Sequence, residues 1–280
     1  MGWEMINEFA IPQGSRLYFG KNARKKREIE NRCVALFYEN GFEEIATPFF
    51  SYHQTLKEQK EIITFSDVSN NRVSLRADSA QDVVRLITKR LGRSVEHTKW
   101  FYVQPVFKYP TTEKHQIGAE WIDNDKIADA ANLCANMLAD FENVFAVQLG
   151  NIKIPQLIAD ETGIPMRHFT THNIEAISSY KIDWLDRLLE ITDADEIPGI
   201  LEQVSPAVKQ ELEKLYNAAK AVRTGRIIVT PVHHTDLEYY DELFFRCIHK
   251  NRLIAMGGSY FVDGARASGF AIYTDELISE

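Results

Sequence analysis

Trp100-Phe101-Tyr102-Val103-Gln104-Pro105-Val106-Phe107-Lys108, followed after five residues by Lys114-His115-Gln116-Ile117-Gly118-Ala119-Glu120-Trp121-Ile122, decides the fold of this chain. In both runs apolar residues alternate with polar or small ones, the period-two pattern of strands that bury one face. Tyr109-Pro110-Thr111-Thr112-Glu113 between them carries a proline and polar residues, which suit a connection that leaves the sheet. The pair predicts an antiparallel hairpin. Gln116 and Glu120 are four residues apart in one arm and so share a face, with Lys108 at the bend. An amide and a carboxylate side by side are amino-acid-binding groups in outline; they also suit the solvated face of a sheet.

The 280 residues are enough for one large domain, or a domain with an insertion, and an apolar fraction of 45% supplies its core. A net charge of −8 argues against a broad surface for nucleic acid, which needs clustered Lys and Arg. Cys33, Cys134 and Cys247 lie far apart in apolar stretches without CxxC or metal-ligand spacing. They read as buried, reduced thiols, and neither metal nor cofactor is expected. No apolar run reaches the roughly 18 residues of a membrane span. Met1 to Gln13 lacks the uninterrupted apolar core of a signal peptide, so the expectation is a cytoplasmic protein.

Working outward, Lys21 to Asn40 reads as an amphipathic helix closed by Asn40-Gly41. Ile45 to Phe50 reads as a strand carrying Pro48, which places it at a sheet edge or at the beginning of a dimer-facing strand. Thr64 to Leu75 reads as a strand pair around Asn70-Asn71, and Asp78 or Ser79 as the cap of a helix through Leu91. Apolar residues from Ile127 to Phe145 repeat at three and four, which predicts the clearest amphipathic helix of the chain. Val147 to Asn151 predicts a short strand. Ile174 to Val222 is charged and helix-forming, with breaks at Ile197-Pro198-Gly199 and Ser205-Pro206, and predicts three short helices around Leu185, Leu188, Leu212 and Leu215. Strands return at Arg226 to Thr230, Leu237 to His249, Leu253 to Met256 and Gly269 to Tyr273, with Lys250-Asn251 as a hairpin turn and Gly257-Gly258 ending an arm. The pattern describes an α+β fold on a mainly antiparallel sheet flanked by helices. Its core spans residues 1–173 and 223–280, with a helical insertion at 174–222.

The order of these elements resembles the catalytic domain of class II aminoacyl-tRNA synthetases, most closely the histidyl branch, over nearly the whole chain. Gly41 to Pro48 is similar to the first motif, a helix leading into a dimer-interface strand. Val73-Ser74-Leu75-Arg76-Ala77-Asp78 is similar to the turn whose acid receives the ligand's amino group. Pro105 to Lys108 with His115 to Glu120 is similar to the second motif. Leu237-Glu238-Tyr239-Tyr240, Met256 to Tyr260 and Gly269 to Ile272 resemble, in order, the histidine-binding strand, the glycine turn and the third motif. The resemblance implies a histidine site formed by Asp78, Gln116, Glu120, Tyr239, Tyr240, Gly257 and Gly258. Asp78 as a cap, Tyr239 and Tyr240 as core aromatics and Gly257-Gly258 as a plain turn are the alternatives.

The departures from the family bear on activity. Adenylation needs cations on the phosphates and on the carboxylate being activated. Lys108 stands for the second-motif arginine, and Thr235, Ser259 and Glu276 stand where three further arginines are expected. The loop after Lys108 is short and lacks basic residues. Ala80 replaces a ligand-contacting threonine, and the chain stops at the third motif, so an anticodon-binding domain is not expected. This profile resembles the regulatory subunits of ATP phosphoribosyltransferase, the first enzyme of histidine biosynthesis. It implies a non-catalytic protein that joins a short catalytic subunit, forms a homodimer within a hetero-oligomer, and senses free histidine. A synthetase-derived enzyme that activates an amino acid without tRNA, and a purely structural dimerisation partner, are the other readings.

Overall fold

The hairpin forms as read and lies within the main sheet of the computed structural model, which describes residues 6–52, 54, 59–91, 97–123, 126–141, 145–235, 240–262 and 264–278. In chain order the strands are β1 (Glu43–Glu44), β2 (Phe50–Ser51), β3 (Thr64–Ser66), β4 (Arg72–Leu75), β5 (Lys99–Lys108), β6 (Thr112–Ile122), β7 (Ala146–Asn151), β8 (Arg226–Val229), β9 (Tyr240–His249), β10 (Arg252–Val262) and β11 (Ala265–Tyr273). The α-helices are α1 (Gly20–Glu39), α2 (Ala80–Arg85), α3 (Ile127–Ala139), α4 (Lys153–Thr162), α5 (Met166–Thr170), α6 (Ile174–Ser178), α7 (Asp183–Glu190), α8 (Pro206–Ala221) and α9 (Thr274–Ile278). Eight strands pair in the order β1-β5-β6-β11-β10-β9-β7-β8, and β2-β4-β3 form a small second sheet. The inner pairings are antiparallel, whereas the outermost ones, β1 with β5 and β7 with β8, are parallel.

The β5–β6 ladder runs from Lys99↔Trp121 to Lys108↔Thr112. The bend is therefore Tyr109, Pro110 and Thr111 alone, and Thr112 and Glu113 belong to the strand. The N-terminal segment holds this tip closed: Glu113 N–H donates to the Gly14 carbonyl at 3.0 Å and Ser15 Oγ to the Thr111 carbonyl at 3.3 Å. One face of the sheet packs on α1, α3, α4 and α8 around Phe37, Ile117, Cys134, Phe245 and Phe270. Phe37 stacks on Phe101 at 4.8 Å there. The other face carries Trp100, Tyr102, Tyr240 and Tyr260, and α2 lays Val83 and Val84 across it. The polar face of β6 is thus covered rather than solvated, since every residue from Gln116 to Ile122 is buried.

Parallel β7 and β8 need a long crossover, and residues 152–225 supply it. It holds α4 to α8 and a 3-10 turn at Ala194–Gly199; within 174–222 the three helices expected are α6, α7 and α8, with the 3-10 turn added and α8, of 16 residues, not short. Pro206 opens α8 behind Ser205, whose Oγ accepts from Val208 N–H at 3.2 Å. Leu185, Leu188, Leu212 and Leu215 join the same apolar cluster as Phe37 and Phe245.

Other expectations need correction. Ile45 to Phe50 is not one strand, because β1 ends at Glu44 and β2 begins at Phe50. The buried guanidinium of Arg76 takes the Thr47 and Pro48 carbonyls at 2.9 and 3.2 Å and Pro105 O at 2.7 Å, replacing ladder partners. Helix α3 stops at Ala139, where Asp140 turns outward to Arg32 Nε at 2.7 Å; Val144 lies outside the described residues. Gly257 and Gly258 do not end an arm; they are interior to β10 and paired on both sides. The Lys250-Asn251 turn holds, both residues having positive φ, 46° and 62°, as a two-residue hairpin between twisted strands demands.

Candidate functional site

The α2-covered face of the sheet leaves one large cavity, about 280 Å3 in volume. Strand alternation aims Lys114, Gln116 and Glu120 of β6 and Tyr102, Val106 and Lys108 of β5 toward it. Tyr260 and Met256 arrive from β10, Tyr240 from β9, Tyr273 from β11 and Asp78 from the turn before α2. The floor is close-packed because two glycines give way. A Cβ on Gly118 would stand 2.3 Å from the Tyr102 hydroxyl, and one on Gly269 would stand 1.8 Å from Glu120 Oε2.

Glu120 is 1% exposed, and its Oε1 accepts from the Tyr102 hydroxyl at 3.3 Å while its Oε2 accepts from Tyr260. Burial pushes its carboxyl up to about 8, against the pull of the Tyr260 and Tyr102 hydroxyls and with the Asp78 charge adding to the rise. At neutral pH this group is therefore mostly a carboxylic acid, able both to donate and to accept a hydrogen bond. The sequence suggested a carboxylate. Gln116 is 8% exposed, and its Oε1 has no hydrogen-bond partner among the described residues. A buried amide oxygen left open in a polar cavity is a group awaiting a donor.

Asp78 is half-buried and accepts from Gln81 N–H at 3.3 Å, so it helps to cap α2 while facing the cavity. Burial raises its carboxyl, offset in part by that N–H and by the Lys108 charge. Tyr240 lines the cavity; Tyr239 lies outside the described residues. Gly257 and Gly258 do not line it. A Cβ on Gly257 would meet the Phe245 ring at 2.5 Å on the helix-packed face, and one on Gly258 would meet the Tyr240 ring at 2.6 Å. Gly258 thus acts at one remove, by letting Tyr240 lie flat on the strand.

Three cations complete the lining. Lys108 pairs with Glu61 at 2.8 Å, Lys114 stands over the Tyr273 ring at 5.8 Å, and Arg252 donates to the Glu276 carbonyl at 2.6 Å. Of the four positions where the resemblance implies arginine, Lys108 and Glu276 line the cavity and Thr235 and Ser259 do not. Sequence reasoning missed Tyr102, Tyr260, Lys114 and Arg252. Lys114 shares strand parity with Gln116 and was within reach of that rule; Tyr260 and Arg252 needed the sheet order. Among the described residues no group of three His, Cys, Asp or Glu side chains is placed to hold a metal, and no helix is long and apolar enough to cross a membrane.

A carboxyl- and amide-bearing wall and a cationic rim are groups that suit a zwitterion. The family description for histidyl-tRNA synthetase matches residues 18–277. The chain belongs to the histidyl-tRNA synthetase family. Within the family it is 40% identical to the ATP phosphoribosyltransferase regulatory subunit of Wolinella succinogenes, over 99% of this chain and 97% of that protein. It is 37% identical to the protein of the same name from Helicobacter hepaticus, over 98% of each. A crystal structure described as an ATP phosphoribosyltransferase regulatory subunit/histidyl-tRNA synthetase from Bacillus halodurans superposes with a TM-score of 0.86 at 18% identity, covering 98% of this chain and 83% of that one. At that identity the superposition speaks for the fold alone.

Proposed function

We propose that this chain is the non-catalytic regulatory subunit of ATP phosphoribosyltransferase in histidine biosynthesis, that it activates a short catalytic subunit, and that it takes free histidine in the Glu120 cavity. The observation that carries the reading is the 40% identity, over nearly the full length of both chains, to a protein of that name. The cavity supports the ligand. The α-ammonium would sit between Asp78 and the open Gln116 Oε1, and the imidazole would meet the Glu120 carboxyl, whose proton it can share. The carboxylate would face Lys108 and Arg252. Histidine that prefers one arrangement of the complex would inhibit through that difference in affinity alone.

The reading as a non-enzyme is supported by the side chains at the arginine positions. Single donors to a developing negative charge commonly contribute about 10²–10³ in rate, and here Thr235 and Ser259 are buried away from the cavity while Lys108 is engaged by Glu61. A homodimer is supported by Phe49, Phe50, Tyr52 and Phe65, exposed together beside the small sheet, where a second copy would cover them. The protein would act in the cytoplasm, beside its catalytic partner, with residues 174–222 as an insertion of the regulatory branch.

The test is to express this chain with the short catalytic subunit from the same genome. Phosphoribosyl transfer should rise when the chain is added, and histidine should inhibit only the combined preparation. Pyrophosphate exchange by the chain with ATP and histidine should be absent. Transfer that does not rise on addition of the chain would refute the proposal, and exchange activity would favour a synthetase-derived enzyme.

A further inference from the structure

A second cavity, about 150 Å3 in volume, opens where α5 to α7 meet the end of β8. Phe169, Ile177, Leu188 and Val232, all buried, form its apolar wall, and His172 and His233 form the polar one. No residue lines both this cavity and the first. The two imidazoles stack with centroids 4.3 Å apart and planes 26° from parallel.

Their partners assign their protons. Arg246 Nη1 lies 3.0 Å from His233 Nε2, and since a guanidinium only donates, His233 Nε2 accepts. His172 Nε2 lies 2.9 Å from the His234 carbonyl, which only accepts, so His172 donates from Nε2. In the neutral ring Nδ1 of His172 then carries a lone pair, and no hydrogen bond to it is made among the described residues. Thr230, the neighbouring hydroxyl, is already satisfied, accepting from Gln148 Nε2 at 3.0 Å and donating to the Leu149 carbonyl at 3.2 Å.

A cleft of about 150 Å3 with Phe169, Ile177 and Leu188 on one wall, and the exposed His172, Ile174 and Thr192 also in its lining, has the room a single benzene-sized ring needs. His172 is exposed and lines the cavity, so its acceptor is one at which a ligand's donor would take the place of water. We propose that this cavity is a second ligand site, separate from the Glu120 cavity, for one aromatic ring bearing one O–H or N–H donor. The two sites are joined by a short path. His233 holds Arg246, which lies opposite Met256 across β9 and β10, and Met256 lines the first cavity.

Methyl NMR on the full chain titrated with phenol tests this. Saturable shifts are expected for the methyls of Ile177, Leu188 and Val232. Toluene, which lacks the donor, should bind about five-fold more weakly, as the loss of one hydrogen bond implies. His172→Phe should reduce phenol to the toluene level. Leu188→Phe, or the less buried Leu189→Phe if the first does not fold, should abolish the shifts by filling the chamber while the spectrum stays dispersed. Non-saturating shifts, shifts confined to Met256 and its neighbours in the first cavity, equal affinity for phenol and toluene, or undiminished binding to a folded filled variant would each overturn the proposal.

Discussion

Glu120→Gln separates the charge of the central carboxyl from its shape. Burial in the native protein pushes the group up to about 8, against 4.5 for an ordinary glutamate. Because the folded value is raised, its contribution to stability is fully present below about 4.5 and is lost as the pH rises toward 8. The whole gap corresponds to about 5 kcal/mol at 1.36 kcal/mol per pH unit, and the part falling between pH 6 and pH 9 to about 3 kcal/mol. Glutamine keeps the volume, and its amide can still bond the Tyr102 and Tyr260 hydroxyls, but it cannot ionise. Urea unfolding of both proteins at pH 6 and pH 9 gives four free energies, and the difference of differences cancels the titrating groups that do not interact with Glu120. The native protein should lose about 3 kcal/mol more than Glu120→Gln over that interval. A change below about 0.5 kcal/mol, or one of opposite sign, would show that the carboxyl is ionised throughout, and the assignment of a neutral acid would fall.

Further perturbations probe the supports of the site. Gly269→Ala would set a methyl 1.8 Å from Glu120 Oε2 and 2.5 Å from the Ala119 carbonyl, so thermal unfolding should register a loss of about 1–3 kcal/mol. Arg76→Met leaves the Thr47, Pro48 and Pro105 carbonyls without their donor and should cost about 3–5 kcal/mol in urea unfolding; Arg76→Lys should recover little of it, since an ammonium cannot span the same fork. Asp78→Asn should weaken histidine by about ten-fold to a hundred-fold in isothermal titration, the worth of one charge-assisted bond, and unchanged affinity would remove Asp78 from the ammonium site.

Alternation alone carried the hairpin, its two faces and the pairing of Gln116 with Glu120, because a strand's period is local. It could not say what covers the polar face. That depends on α2 folding back over β5 and β6 and on β10 and β11 completing the sheet, contacts made across as many as 140 residues, as between Glu120 and Tyr260. The same distinction explains Gly257 and Gly258. Two adjacent glycines look like a turn when read locally, yet in β10 each makes room for an aromatic ring, one on either face, and neither ring is near in sequence. Arg76 was equally opaque, since a lone arginine beside a strand gives no local sign that three carbonyls from distant segments will converge on it. Charge state is the property most removed from sequence. Gln116 and Glu120 look alike in pattern, but enclosure turns one into an open acceptor and the other into a neutral acid. The proton-bearing wall of the cavity therefore arises from the packing of Tyr102 and Tyr260 around Glu120 rather than from the presence of a carboxylate in the motif.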